Sequence, residues 1–252
     1  MARMEARRLS QCYAGVVTLL RSPVSKDGAA LDRRPTASPA LSWALVASTA
    51  GVFTAVSVWC MTRPVALPTV MSTGGLLGLV LVECVMGAVW IPVLRRRGWT
   101  LARVSLPPSA RDLVRAAGLF VGCLFGYWVG WYFTATFAPQ FARLASEISV
   151  IGQPSWVAVA LVSIVNPVAE EFLYLGFVAT VLRRDSRSYA LAASVVVRLA
   201  VHLYQGPLAI ISIVPAGLVL GSYYLRTNRI WPVIVAHMAM DAVALGQLAS
   251  AA

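Results

Sequence analysis

The sequence predicts an all-α protein that crosses a membrane as a bundle of seven to eight helices. Three observations carry that expectation. Hydrophobic residues make up 59% of the 252-residue chain and the mean hydropathy is +0.75, above what a water-soluble domain requires. Apolar runs near the ~20 residues needed to cross ~30 Å of hydrocarbon recur along the chain. Arginines gather in alternate connections between those runs, the pattern of positive-inside topology.

Two regions follow from the composition: a polar, arginine-rich tail over 1–40 and a transmembrane domain over 41–252. In the tail, Leu9, Tyr13, Val16, Val17 and Leu20 fall at helical spacing between Arg7, Arg8 and Arg21. That spacing predicts either a short helix lying on an anionic membrane face or a plainly disordered tail. A signal peptide fits less well, because the apolar core is short and no good small-residue cleavage site follows. The spans are expected at 41–61, 73–94, 114–138, 156–182, 188–205, 208–225 and 230–249. Arg33 and Arg34 precede the first. Arg95, Arg96, Arg97, Arg103, Arg111 and Arg115 fill the second connection, Arg183, Arg184 and Arg187 the fourth, and Arg226 and Arg229 the sixth. These loops fall on one side if the N-terminus is cytoplasmic, which predicts a cytoplasmic-membrane protein with its C-terminus outside. The same distribution accounts for the net charge of +11 without a nucleic-acid partner; the lipid bilayer is the expected surroundings. Cys12, Cys60, Cys84 and Cys123 show no CxxC spacing, so neither a disulfide framework nor a cysteine metal site is indicated.

Glu170 and Glu171 lie deep in the fourth span, where a charged side chain costs roughly 2.5–3.5 kcal/mol on insertion scales and marks a functional site by default. His202 and His237 are the chain's two histidines, both in apolar segments, and Asp241 follows His237 by one helical turn. Arg198 and His202 have the same i, i+4 spacing, which puts each pair on one helix face. Adjacent glutamates diverge by about 100° on a helix, so one is expected to address a reacting water and the other to be satisfied structurally. A carboxylate and an imidazole facing one water make a general base. A second imidazole with a neighbouring carboxyl can hold an oxyanion in a dry site. Glu170, His202 and His237 are also a zinc-type donor set, although no HExxH spacing favours metal over a metal-free mechanism. Glu83, the acid of the second span, is read as a packing acid, a proton-relay group or a neutral carboxyl, with no catalytic role.

Glu170-Glu171 with Gly176, then His202 closing a helix, then His237-Met238-Ala239-Met240-Asp241, resemble the CPBP (Abi) family of membrane proteins over 155–245. That family includes the type II CAAX prenyl endopeptidases and bacteriocin-processing or immunity proteins. Its pattern is EExxxR, FxxxH and HxxxN or HxxxD on about eight membrane helices. Arg95-Arg96-Arg97-Gly98-Trp99 is similar to a basic turn common in it. The resemblance implies an intramembrane endopeptidase acting on a membrane-associated protein or peptide. Glu170 and His202 would activate water, while His237 and Asp241 would stabilise the oxyanion or help hold a metal; the family is commonly labelled metalloprotease. Two positions depart from the pattern: the family arginine is Leu175 here, and the phenylalanine before the first histidine is Arg198. A guanidinium has left one helix and appeared on another, so Arg198 is expected to pair with Glu171 across the interface. The competing readings are an inactive scaffold or immunity protein of the same fold, and a proton-coupled transporter, which would show internal repeats.

Overall fold

The computed structural model describes residues 44–61, 69–97, 99–100, 104–147, 150–151, 153–182 and 186–250. The tail over 1–40, with its expected surface helix, lies outside the described residues. So do Arg33, Arg34, Arg103, Arg183 and Arg184 of the charge pattern.

The described chain is a helical bundle. In order come α1 (Ala44–Cys60), α2 (Thr73–Arg96), α3 (Arg111–Phe137), α4 (Pro139–Glu147), α5 (Trp156–Leu182), α6 (Arg187–Val201), α7 (Pro207–Thr227) and α8 (Trp231–Ser250). Five of these are long and apolar enough to cross a membrane: α2, α3, α5, α7 and α8. The protein is therefore an integral membrane protein. The run expected at 41–61 holds α1, with residues 41–43 outside the described ones. The run expected at 188–205 is shorter than predicted: it ends as an α-helix at Val201, followed by a 3-10 turn over Leu203–Gln205. An uncapped hydropathy run cannot show such an end. Here Gly206, at φ 55° and ψ −138°, reverses the chain in a conformation that suits glycine.

Side-chain caps start the helices where the sequence turns apolar. Ser72, Ser155 and Ser186 accept from the amides of Gly75, Ala158 and Tyr189 respectively, opening α2, α5 and α6. The one strand pairing among the described residues is a two-residue parallel contact, Thr69–Val70 against Val150–Ile151, just ahead of α2 and α5. The Ser155 amide also donates to Thr73 Oγ1 at 2.8 Å. The two helices thus start together and run in the same direction, as alternating spans require. Leu76, Leu79 and Val80 of α2 pack with Ala158, Val159 and Val162 of α5 along the seam that follows.

Glycines set the register of the central helices. A Cβ on Gly122, Gly126 or Gly130 of α3 would lie 3.4 Å from Val219, 2.9 Å from Pro215 and 3.2 Å from the Ile211 carbonyl of α7. One partner index falls by four as the other rises by four, so the helices are antiparallel and in close contact. On its other side α7 uses Gly221 and Gly217. Added Cβ atoms there would stand 2.6 Å from Leu191 and 3.1 Å from Val195 of α6, and 3.6 Å from the Arg198 stem. This close approach places the Arg198 stem beside α7.

Polar contacts tie the arginine-rich ends. Asp112 accepts from the Ser109 amide and from Arg115 and Arg229. Ser105 accepts from the Ile230 amide, and the Tyr224 hydroxyl donates to the Val104 carbonyl. Trp99, from the basic turn after α2, is buried against Phe177 with ring centroids 5.2 Å apart.

The close α3–α7 contact makes a clear prediction for stability in detergent. Gly126→Ala forces a shift against Pro215 and should cost about 1–3 kcal/mol, as overpacking generally does. Gly118→Ala, where nothing lies within 4 Å, should leave the thermal midpoint unchanged or raised. Equal midpoints for the two variants would contradict the close packing.

Candidate active site

Backbone irregularity brackets the glutamates. Pro167 removes an amide donor in the turn before Glu170. Directly after Glu171 the chain widens into a π-helical stretch over Phe172–Ala179, then returns to α-helix. Such widenings are often found at functional sites. Thr180 closes the stretch by donating from Oγ1 to the Leu175 carbonyl at 3.0 Å. The preceding α-helical turns keep Asn166 and Glu170 on one face.

The two carboxylates have different surroundings. Glu171 is fully buried, and both its oxygens are taken by α6: Arg198 Nη1 donates to Oε1 at 2.8 Å and Nη2 to Oε2 at 2.7 Å. This is a two-pronged guanidinium–carboxylate pair, the strong form of such contacts. The same guanidinium lies over the Tyr174 ring, 4.5 Å from its centroid. His237 Nδ1, from α8, is 2.7 Å from Glu171 Oε1. Glu171 therefore joins α5, α6 and α8, and it has little freedom to meet a substrate.

Glu170 faces the other way, into the space between the histidines, and keeps 13% of its side chain exposed. Its Oε1 is 3.8 Å from His202 Nε2, and its Oε2 is 4.0 Å from His237 Nε2 and 3.9 Å from Arg198 Nη1. Oε2 is buried without a hydrogen-bond partner. His202 Nδ1 is 2.8 Å from the Arg198 carbonyl, so it carries the hydrogen and leaves Nε2 as an acceptor toward Glu170. The Ser57 hydroxyl of α1 donates to the Val201 carbonyl beside it, holding the short end of α6. His237 sits between two acids, with Glu171 on Nδ1 and Asp241 Oδ1 3.5 Å from Nε2. Hydrogens on both ring nitrogens satisfy both neighbours, which makes this imidazole a donor.

Glu170, Glu171, His202, His237 and Asp241 thus meet in one place, together with Arg198. The cross-helix pairing of Arg198 with Glu171 has the geometry that the loss of arginine at Leu175 called for. Leu175 is fully buried in the apolar core. Two further residues join the cluster: Asn166, not singled out from the sequence, and Glu83, given no catalytic role there. Asn166 Nδ2 donates to Glu83 Oε1 at 2.7 Å and lies 3.4 Å from Glu170 Oε1. Asn166 stands one turn before Glu170, and following the polar stripe back by four residues would have found it. Glu83 carried only the general signal of an intramembrane acid in need of a partner.

Among the described residues no group of three histidine, cysteine, aspartate or glutamate side chains is arranged to hold a metal ion. The Arg198 guanidinium supplies a fixed positive charge beside Glu170 and Glu171.

The fold and this constellation define a membrane protein with an acid–imidazole centre buried among its C-terminal helices. The family model described as "Type II CAAX prenyl endopeptidase Rce1-like" matches residues 152–243. That segment, from just before α5 to just past Asp241, is similar to this family, in agreement with the three motifs. Among curated proteins and among solved structures, none matches the chain.

The buried fork gives a stability prediction. Arg198→Leu leaves Glu171 uncompensated and should destabilise the detergent-solubilised protein by about 3–5 kcal/mol. Arg198→Lys should restore only part of that, because an ammonium cannot supply the fork. A thermal midpoint unchanged by Arg198→Leu would contradict the pairing.

Proposed function

We propose that the protein is an intramembrane endopeptidase that hydrolyses a peptide bond in a membrane-associated protein or peptide. The observation that carries the proposal is the division of labour between the two glutamates. Glu171 is consumed by Arg198 and His237, whereas Glu170 faces the two imidazoles with only longer contacts around it and no hydrogen bond on Oε2.

A water at hydrogen-bond distance from both Glu170 Oε1 and His202 Nε2 closes a triangle with them. Glu170 takes the proton as the water oxygen attacks the scissile carbonyl, and His202 Nε2 orients the second hydrogen. Charge then develops on the carbonyl oxygen. His237, held by Glu171 on Nδ1, turns its Nε2 hydrogen there from the longer 3.5 Å contact with Asp241, and Arg198 adds a fixed positive charge behind it. Glu170 returns the proton to the leaving amine, which completes hydrolysis. Glu171 acts as a positioning residue in this scheme rather than as a reacting group. No step runs through a metal, and zinc analysis of the purified protein should find well under one equivalent, with chelators leaving turnover intact. Stoichiometric zinc that tracks activity would overturn that part of the mechanism.

The substrate need not be prenylated: a secreted peptide, a membrane-protein tail or a bacteriocin leader presents the same bond. The proposed setting is the cytoplasmic membrane with the N-terminus inside. The test compares membrane and secreted peptide termini, by mass spectrometry, between cells expressing wild type and Glu170→Ala at equal levels. Termini present only with wild type are the expected result. Identical termini would contradict hydrolysis and favour a scaffold.

A further inference from the structure

Glu83 is the one polar residue of this cluster that lies outside the family match, and the mechanism above does not use it. It sits on α2, whose side of the α2–α5 seam reads Leu76, Leu79, Val80 and then Glu83. Opposite, α5 presents Ala158, Val159, Val162 and then Asn166. The seam is apolar until it reaches the level of the active site, where an acid and an amide meet. Its register is fixed at the far end by the Ser155–Thr73 hydrogen bond and the strand pairing before it. Glu83 is buried, with 6% of its surface exposed. A carboxyl in that position is costly as packing material, and a leucine would serve the seam better.

We propose that Glu83 is a positioning residue for Glu170, acting through Asn166. The inference rests on the hydrolytic role of Glu170 given above. An amide nitrogen has two hydrogens. Glu83 Oε1 receives one at 2.7 Å, and Glu170 Oε1 lies toward the other at 3.4 Å. Bonding to Glu83 fixes which way the Asn166 amide faces. Reversal would turn its carbonyl oxygen onto two carboxyl oxygens. The amide then stands as a directed donor on the Oε1 edge of Glu170, the edge that also faces His202. Arg198 lies on the Oε2 side at 3.9 Å. The carboxylate is thus held from both edges, with its plane presented between the imidazoles. The α2 helix thereby takes part in the site although the family's motifs lie wholly on later helices.

Two readouts test the proposal, one of them independent of turnover. Wild type, Glu83→Leu, Glu83→Gln, Asn166→Ala and the double variant Glu83→Leu/Asn166→Ala are prepared in native membranes. They are treated with dicyclohexylcarbodiimide, an apolar reagent for intramembrane carboxyls, and labelling of Glu170 is followed by peptide mass spectrometry. Glu83→Leu and Asn166→Ala should each raise the Glu170 labelling rate several-fold, because the carboxylate loses its directed donor. The double variant should go no further, and Glu83→Gln, which keeps an oxygen acceptor for Asn166, should stay near wild type. With a peptide spanning a cleavage junction mapped by the termini comparison, Glu83→Leu should lower kcat roughly a hundredfold, the scale of a reacting group displaced by about 1 Å, with KM little changed. Unaltered Glu170 labelling in both single variants would overturn the proposal, even where Glu83→Leu lowers stability. Additive effects in the double variant would likewise show that the two residues do not act as one unit. If wild type and Glu170→Ala give identical termini, hydrolysis fails while the labelling still decides whether Glu83 positions Glu170.

Discussion

A guanidinium and a carboxylate buried together inside a membrane bundle fix almost everything around them. Glu171 has no exposed surface, and the Arg198 side chain is 4% exposed. Neither charge is tolerable there without the other, since an unpaired buried charge costs several kcal/mol. The pair therefore requires α6 to approach α5 at one height and one rotation. Glycines on α7 make that possible, because Gly217 and Gly221 leave no side chain between the helices. The 3-10 turn that ends α6 then brings His202 onto the same level, with Nδ1 on the Arg198 carbonyl. One ion pair thus positions three of the polar side chains.

The pair also accounts for the asymmetry between neighbouring glutamates. Identical side chains at adjacent positions acquire different roles because the helix sends them about 100° apart. One points into the α6 and α8 contact and is saturated with donors. The other points to the edge of the cluster, where His202, His237, Asn166 and Arg198 lie near it and its Oε2 has no hydrogen-bond partner. An acceptor left in that state within a low-dielectric site can take up a proton from water, provided that the surrounding donors hold it still. The wide π-helical stretch after Glu171 and the proline before Glu170 interrupt regular backbone where this divergence occurs.

Much of this was legible in the sequence, for identifiable reasons. Charges in hydrocarbon are rare and costly, so Glu170, Glu171, His202, His237 and Asp241 stood out against an apolar background, as did the exchange of arginine between positions 175 and 198. The bundle and its long spans followed from hydropathy. Helix ends did not, because hydropathy cannot see a 3-10 turn or a glycine at positive φ; α6 was expected to run to 205 and stops at Val201. Residue spacing alone left open which glutamate faces the histidines, since that depends on the rotation of α5 against α6; the family resemblance pointed to Glu170. Asn166 escaped because a single amide is a weak signal in a span, and Glu83, though noted, could not be joined to the cluster because its partner lies 83 residues away. The glycine pairs that set the register became readable only once it was known which helices touch.

The central claim is that Arg198 performs, from the neighbouring helix, the charge compensation that the family's pattern assigns to an arginine on the glutamates' own helix. Exchanging the two positions tests it most directly: Arg198→Phe alone, and Arg198→Phe combined with Leu175→Arg, which restores the family's residues at both places. Thermal unfolding of the purified proteins is the measurement. Recovery of most of the lost midpoint in the double variant is the predicted result. A double variant no more stable than Arg198→Phe alone would show that a guanidinium at 175 cannot stand in for the one at 198, and would contradict the account.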